Sequence, residues 1–268
     1  MNNNENVQVL IVTMNLENPD MLLNEMNIKS SFVIGNQSTE DAKDVVSFKN
    51  TCGVIVSRNE KGVGNNRNIT LKYATADYCI LADDDMKFYD DYVERVIQAF
   101  DVHPNADVLI FNIDEKEQTR RVNRKSKKIG LFNYMNYGAA RIAFRRKPIS
   151  YNGISFNCNF GGGTPHSSGE DSLFLRDCLL HGLNIVSVPT SLARLCDSRK
   201  STWFVGYNEK YLFDKGVFLG IAHPKLAFIF AIYLIFRHDE YSQITKRKFK
   251  SLSIIKQGIC FSKKDLKL

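Results

Sequence analysis

Three consecutive carboxylates, Asp83-Asp84-Asp85, close the apolar run Ile80-Leu81-Ala82. Like charges this close repel, and a buried carboxylate without a partner is costly. Three acids at the end of a strand therefore point to a cation held among them. Oxygen-only ligands suit Mg²⁺ or Mn²⁺, which keep positions open for water and for a substrate's phosphate. Asp is also common in turns and helix caps, so a solvated acidic turn is the other reading of the run taken alone.

Two further segments carry residues of chemical interest. Gly62-Val63-Gly64-Asn65-Asn66-Arg67-Asn68 joins a strand to a helix. Glycine lets the backbone approach a ligand, a helix N-terminus favours an anion, and Arg67 in the first turn could reach a diphosphate. A dinucleotide fingerprint is disfavoured, because it wants a third glycine where Arg67 stands and follows the first strand rather than the third. A Gly-rich turn with a surface arginine is the alternative. Gly169-Glu170-Asp171 opens a helix after the Gly-rich Gly161-Gly162-Gly163-Thr164-Pro165. Acids in a first helical turn can cap the dipole or, in a site, supply a general base; spacing does not choose.

The elements that must position these residues alternate. Val7–Thr13, Ser31–Gly35, Gly53–Ser57, Asp77–Ala82 and Asp107–Phe111 are short apolar runs that read as strands. Helical spacing is expected over Asn65–Ala76 and Asp90–Val102, and the polar stretch Ser38–Ser47 also reads as roughly helical. Farther on, Thr119–Lys128 reads as a basic loop, Ala139–Arg145 and Ile154–Cys158 as strands, and Phe160–Ser168 as a Gly-rich loop. Gly169–His181 reads as a helix closed by Gly182, and Asn184–Val188 as a strand ended by Pro189. Such alternation implies βαβ units and a mostly parallel sheet, with ligands beyond the carboxyl ends of the strands. The acidic triplet lies at such an end.

The chain has 268 residues, 44% hydrophobic and 24% charged, enough for one large α/β domain with an appendage. Its six cysteines form no CxxC pair, which fits reduced thiols, and the polar N-terminus lacks an apolar secretion segment. Five scattered histidines without HExxH disfavour a zinc site. The net charge is +7, and residues 237–268 hold nine Lys/Arg against three Asp/Glu. Just before them, Leu226–Phe236 is an eleven-residue apolar run, too short to span a bilayer, which takes about 20 residues. It reads either as an interfacial helix on an anionic leaflet or as a buried helix with a solvated basic tail.

In order, VQVLIVTMN, VIGNQS, GVGNNRN, LADDDM and GGGTPHSSGEDSLFLRDCLLHG resemble the nucleotide-sugar glycosyltransferases of the GT-A fold, in particular glycosyltransferase family 2. The resemblance covers roughly Val7 to Pro189. It implies an α/β fold: a Rossmann-like, mixed but mostly parallel sheet flanked by helices, with a C-terminal helical extension. It places Asp83, Asp84 and Asp85 at a divalent cation on the donor diphosphate, Asp171 as the catalytic base with Glu170 beside it, and Thr13, Asn15, Gln37, Arg67 and Asn68 about the donor. Two departures stand out. Asn36 and Gln37 occupy the place where relatives often carry an acid that reads the uracil edge. Leu195-Cys196-Asp197-Ser198 stands where a metal-binding histidine is often found, so Asp197 is the candidate oxygen ligand there. Trp203, the only tryptophan, is either part of an acceptor-sugar platform or an amphipathic core residue.

The expected activity is an inverting glycosyl transfer, dependent on Mn²⁺ or Mg²⁺. The expected donor is a nucleoside-diphosphate sugar, UDP-linked in the first instance. The expected acceptor is a saccharide, lipid-linked, in bacterial surface-polysaccharide assembly. The expected layout is a catalytic domain over 1–205, with a nucleotide-sugar half to 112 and an acceptor half from 113, and a basic helical segment over 206–268. A cytoplasmic location, peripheral on the inner face of the plasma membrane, goes with this, and nucleic acid is not an expected partner. The rivals are a sugar nucleotidyltransferase, which would usually show a Gly-rich basic loop where Met14-Asn15-Leu16-Glu17 stands, and a non-catalytic basic module binding nucleic acid or membrane. The second leaves the acidic triplet and the Glu-Asp pair unexplained.

Overall fold

The computed structural model describes residues 6–117, 119–196, 206–237 and 239–265. The chain divides into two compact units, one of Met1–Cys158 with Glu170–Lys200, the other of Asn159–Gly169 with Ser201–Leu268.

In chain order the first unit runs β1 (Val7–Met14), α1 (Pro19–Glu25), β2 (Ser31–Gln37), β3 (Ala42–Phe48), β4 (Thr51–Arg58), α2 (Val63–Tyr73), β5 (Tyr78–Asp83) and β6 (Met86–Phe88). It continues with α3 (Tyr92–Val102), β7 (Val108–Asp114), β8 (Lys127–Ile129), β9 (Ile142–Arg145), α4 (Arg146–Tyr151), α5 (Glu170–Leu180) and β10 (Ile185–Leu195). The strands form one sheet in the order β3-β4-β2-β1-β5-β9-β7-β10-β6, with β8 also on β10. β4, β2, β1 and β5 are mutually parallel, and β9 is inserted antiparallel between β5 and β7.

β1 lies at the heart of this sheet and shows why the apolar runs are legible. Val7, Val9 and Ile11 face one buried layer, and Leu10 faces the other. A parallel strand covered on both faces must be apolar at nearly every position. The register sets Thr13 opposite Asn36, Gln37 opposite both Met14 and Arg58, and Val12 opposite Asp83, so the strand ends form one row. α2 packs across β1 and β2, and a Cβ on Gly35 would lie 2.4 Å from the Asn66 side-chain oxygen, so only glycine admits the helix this close.

Four expectations from the sequence are corrected. Residues 42–48, overlapping most of the expected helix Ser38–Ser47, form β3 instead, a hairpin partner of β4 with Phe48 opposite Thr51. β3 is an edge strand whose first four residues are exposed and which packs only Val46 and Phe48 on the core, so its apolar alternation is short, and its Lys43 and Asp44 suit such an edge. Of Ala139–Arg145 only the last four residues are strand. Ile154–Cys158 is irregular; the Asn68 side chain accepts from Phe156 N at 2.7 Å and donates to Phe156 O at 2.9 Å, imitating a neighbouring strand. β10 does not stop at Pro189 but continues to Leu195 through register shifts on either side of Ser191, the kind of irregularity that admits proline. α1 carries no amphipathic signal in the sequence reading, but it has the local ones: Asn18 caps Met21 N, and Pro19 opens the helix.

The second unit holds α6 (Glu209–Ala222), α7 (Ala227–Arg237), α8 (Asp239–Gln243) and α9 (Lys248–Asp265). α6 and α9 meet backbone to backbone: a Cβ on Gly216 would lie 2.1 Å from Ile255 O, and one on Gly258 2.1 Å from Phe213 O. The Gly-rich loop of this unit is fastened to α6. His166 Nδ1 lies 2.9 Å from Asp214 Oδ1, and Lys210 donates to both Asp214 Oδ2 and Pro165 O. Burial works to raise the Asp214 carboxyl, but the bonds from His166 and Lys210 outweigh it and hold it below the ordinary value. Among the described residues no helix is long and apolar enough to cross a membrane.

Candidate active site

Arg67 is the centre of the arrangement. Gly62, at φ 113°, starts α2 without a side-chain cap, and one turn on Arg67 points inward with only 6% of its side chain exposed. Its Nη2 donates to Asp83 Oδ1 at 2.9 Å, its Nη1 to Glu170 Oε1 at 2.9 Å, and Nη1 lies 3.5 Å from Asp171 Oδ1. The guanidinium also lies over the Phe156 ring, 5.4 Å from its centroid. The start of the second turn of α2, the end of β5 and the first turn of α5 are thus drawn to one point. Burial alone would lower the Arg67 pKa, but Asp83, Asp171 and Glu170 outweigh it and raise it, so the cation is permanent.

The neighbouring acids Glu170 and Asp171 are pushed in opposite directions. Burial, then the charge of Asp171, raises the Glu170 carboxyl well above the usual range despite the nearby Arg67. Asp171 is lowered: burial opposes ionisation, but Arg67, a hydrogen bond from Glu170 and the Ala139 N–H, 3.0 Å from Oδ2, more than compensate. Of the two, Glu170 is the one whose surroundings favour the protonated form and Asp171 the one whose surroundings favour the carboxylate. A quarter of the Asp171 side chain is exposed against a tenth of Glu170, so the ionised member is the more accessible one.

The acidic triplet has a different setting. Thr13 Oγ1 donates to Asp84 Oδ2 at 2.6 Å, tying the end of β1 to the turn after β5. Asp85 has its pKa raised, by burial first and then by the charges of Asp83 and Asp84, the signature of a carboxylate whose neighbourhood favours an added cation. Among the described residues no three His, Cys, Asp or Glu side chains are grouped so as to hold a metal ion. Mg²⁺ and Mn²⁺ do not need such a group, since one or two carboxylates with water and substrate phosphate suffice. The oxygen-only donor set of Asp84 and Asp85 fits such an ion. Cys196 N donates to Asp85 O at 2.8 Å, which ties the residue after β10 to the triplet.

The remaining sequence-predicted residues are placed as follows. Gln37 Oε1 accepts from Gly62 N at 3.1 Å, and Asn15 N, at a residue with φ 50°, donates to Gln37 O at 2.8 Å, so both lie along the row of strand ends. Asn36 bridges Leu16 N and Ser57 Oγ. Asn68 is spent on Phe156. The Arg67 guanidinium is enclosed by carboxylates, where the sequence suggested a diphosphate partner or a surface arginine. Asp197 and Trp203 lie outside the described residues. The Ala139 N–H that supports Asp171 went unseen in the sequence, because a backbone donor leaves no side-chain signal; Gly138 before it is the only hint. Asn66 was also missed: it donates to Thr13 O and Gly35 O, joining α2 to two strand ends.

Comparison with known proteins agrees with this picture. A family profile described as Glycosyl transferase family 2 matches residues 31–167, half of the chain. Among curated proteins none matches the sequence. Of solved structures, S. aureus TarS 1–349 in complex with UDP-GlcNAc is similar at TM-score 0.56 and 15% identity, over 97% of this chain and 74% of that one. TarS 1–349 in complex with UDP gives 0.55 and 15%, over 98% and 75%. A longer TarS structure gives 0.55 and 15%, over 81% of this chain and 40% of that one, so this chain spans well under half of its length. At such identity the likeness shows the fold, an α/β GT-A arrangement. With that fold and a match over half its length, the chain belongs to glycosyl transferase family 2.

Proposed function

We propose that this glycosyltransferase moves a sugar, with inversion, from a nucleoside-diphosphate sugar to a saccharide hydroxyl. A UDP-sugar is the first donor to test, in keeping with the UDP and UDP-GlcNAc complexes of its structural neighbour. The observation that carries the reading is the geometry around Arg67, which pairs with Asp83 and Glu170, lies 3.5 Å from Asp171, and leaves Asp171 the more exposed of the two neighbouring acids. An accessible ionised carboxylate that can take a proton is what an acceptor hydroxyl needs.

In the proposed step Asp171 removes the hydroxyl proton as the acceptor oxygen forms its bond to the anomeric carbon. The bond from that carbon to the diphosphate oxygen breaks, and the diphosphate leaves with the electron pair. Asp83, Asp84 and Asp85, with Asp197, would hold a Mn²⁺ or Mg²⁺ ion, which when bound neutralises charge on the leaving diphosphate. Arg67 acts at one remove: it pairs with Asp83 and Glu170 and favours the ionised form of Asp171. Thr13, Asn15 and Gln37 line the strand ends on the donor side, Asn68 positions the segment at Phe156, and Trp203 is assigned to the acceptor. The acceptor is a lipid-linked saccharide of surface-polysaccharide assembly, reached from the inner face of the membrane.

The test is nucleotide release from a panel of UDP-, GDP- and CDP-sugars with Mn²⁺ or Mg²⁺ and a saccharide acceptor. Acceptor-stimulated release from one nucleotide class supports the reading. Release that is indifferent to both acceptor and Asp171→Asn would sink it, and pyrophosphate formation from a nucleoside triphosphate and a sugar phosphate would replace it with nucleotidyl transfer.

A further inference from the structure

The outer face of α7 does not suit water. Ala227, Ala231 and Ile235, spaced by four, are its buried stripe, packed against α6 and α9 within the second unit. The opposite stripe should be polar in a surface helix. Instead Phe228, Ile229, Ile232, Tyr233 and Phe236 are all exposed, Ile229 by 63%. A contiguous exposed apolar face marks a docking surface.

We infer that this face lies on an anionic bilayer surface, with α7 in the plane of the interface. Charge selects that occupant. Lys225 is exposed at the start of the helix and Arg237 at its end. Lys248 sits with its ammonium 5.3 Å from the centroid of the Phe236 ring, and Lys246, Arg247 and the 81%-exposed Phe249 surround it in the chain. Glu240 is an exposed acid between these groups, next to Asp239 in the chain, and Glu209 is paired with Lys250 at 2.6 Å. Apolar and aromatic side chains rimmed by exposed cations match the boundary between acyl chains and acidic headgroups. With 11 residues, rising about 1.5 Å each, α7 is far short of a span of about 30 Å, so it lies flat. A second copy is the poorer occupant: with a cation at both ends of the helix, parallel and antiparallel pairing alike set like charges together.

This deepens the proposed function, on which it rests only for the lipid-linked acceptor; vesicle binding needs no turnover. The experiment is co-sedimentation of the full chain with phosphatidylcholine vesicles, with and without roughly one third phosphatidylglycerol. Binding is expected only with the anionic lipid, and it should weaken as salt rises. Ile229→Ser with Tyr233→Ser should reduce binding at least about tenfold, and Lys246→Glu with Arg247→Glu by roughly fivefold per lost cation. Both variants should keep the wild-type melting temperature and donor turnover. Equal binding to neutral vesicles, or none to anionic ones, overturns the inference. So does a concentration-dependent dimer that the Ile229 and Tyr233 changes abolish. Vesicle binding by a protein that releases no nucleotide would leave this inference standing and remove the donor chemistry alone.

Discussion

Glu170 and Asp171 are built around a guanidinium of the chain's own, whereas Asp85 is crowded by burial and by the charges of Asp83 and Asp84. Asp83 belongs to both settings, one oxygen on Arg67 and 41% of its side chain open to solvent. One residue chemistry thus serves two purposes. Carboxylates enclosing an internal cation are structure that also tunes a proton. Asp85, raised by burial and by the charges of Asp83 and Asp84, sits where an added cation would relieve repulsion. The two groups should therefore respond to mutation with opposite balances of stability and activity.

The largest effect should fall on the triplet. Asp85→Ala or Asp84→Ala, or excess EDTA, should abolish nucleotide release and weaken donor binding, while Asp85→Ala leaves the melting temperature unchanged or slightly raised because a repulsive charge is gone. Full activity in both variants and in EDTA would remove the metal from the reaction. Next comes Asp171→Asn, which keeps size and the bond from Ala139 but loses the proton-accepting carboxylate. Transfer should fall by about 10²–10⁴-fold with the donor dissociation constant little changed. A normal rate would reduce Asp171 to a helix-capping residue, and lost donor affinity would move it to the metal.

Arg67→Met should break the second group in the other direction. It removes a buried cation from three carboxylates, and breaking a buried ion cluster from one side typically costs about 3–5 kcal/mol. Denaturant unfolding should show that loss. Combining it with Glu170→Gln should recover part of it, because one of the stranded acids is then neutral. A loss below about 1 kcal/mol would mean that the cluster behaves as a surface ion pair.

The contrast also shows what could be read in advance. Asp83, Arg67, Glu170 and Asp171 were each visible as residue types in suggestive places, at a strand end or in a first helical turn. Their union was not, since Arg67 and Glu170 are 103 residues apart in sequence. Read locally, Arg67 beside two glycines suggests a phosphate; only the fold surrounds it with acids. The buried parallel strands were legible because burial on both faces forces a continuous apolar run. β3, an edge strand exposed over its first four residues, carried little such constraint, and the segment at Phe156 is held by one asparagine side chain rather than by a pattern of its own. β10 outruns Pro189 because the irregularity around Ser191 absorbs the missing donor.

The finest test concerns the proton on Glu170. Glu170 has its folded-state pKa raised above the ordinary value of 4.5 by burial and by Asp171. Above that value the unfolded chain has released a proton that the folded protein still holds. Stability contributed by this group is therefore present at low pH and lost as pH rises, at most about 1.4 kcal/mol per pH unit for one proton. Asp171, lowered instead, works the other way: its contribution is lost only as pH falls below the ordinary aspartate range. Glu170→Gln mimics the protonated state, since its amide can donate to Asp171 while its oxygen still accepts from Arg67. Near pH 5 wild type and variant should be about equally stable, and toward pH 8 the variant should become the more stable of the two. Transfer by Glu170→Gln should fall far less than by Asp171→Asn, because the proton acceptor is intact. Urea midpoints for both proteins across this range decide the matter. Parallel curves would show Glu170 already ionised at pH 5, and the pair would then be two carboxylates on one arginine with no proton between them.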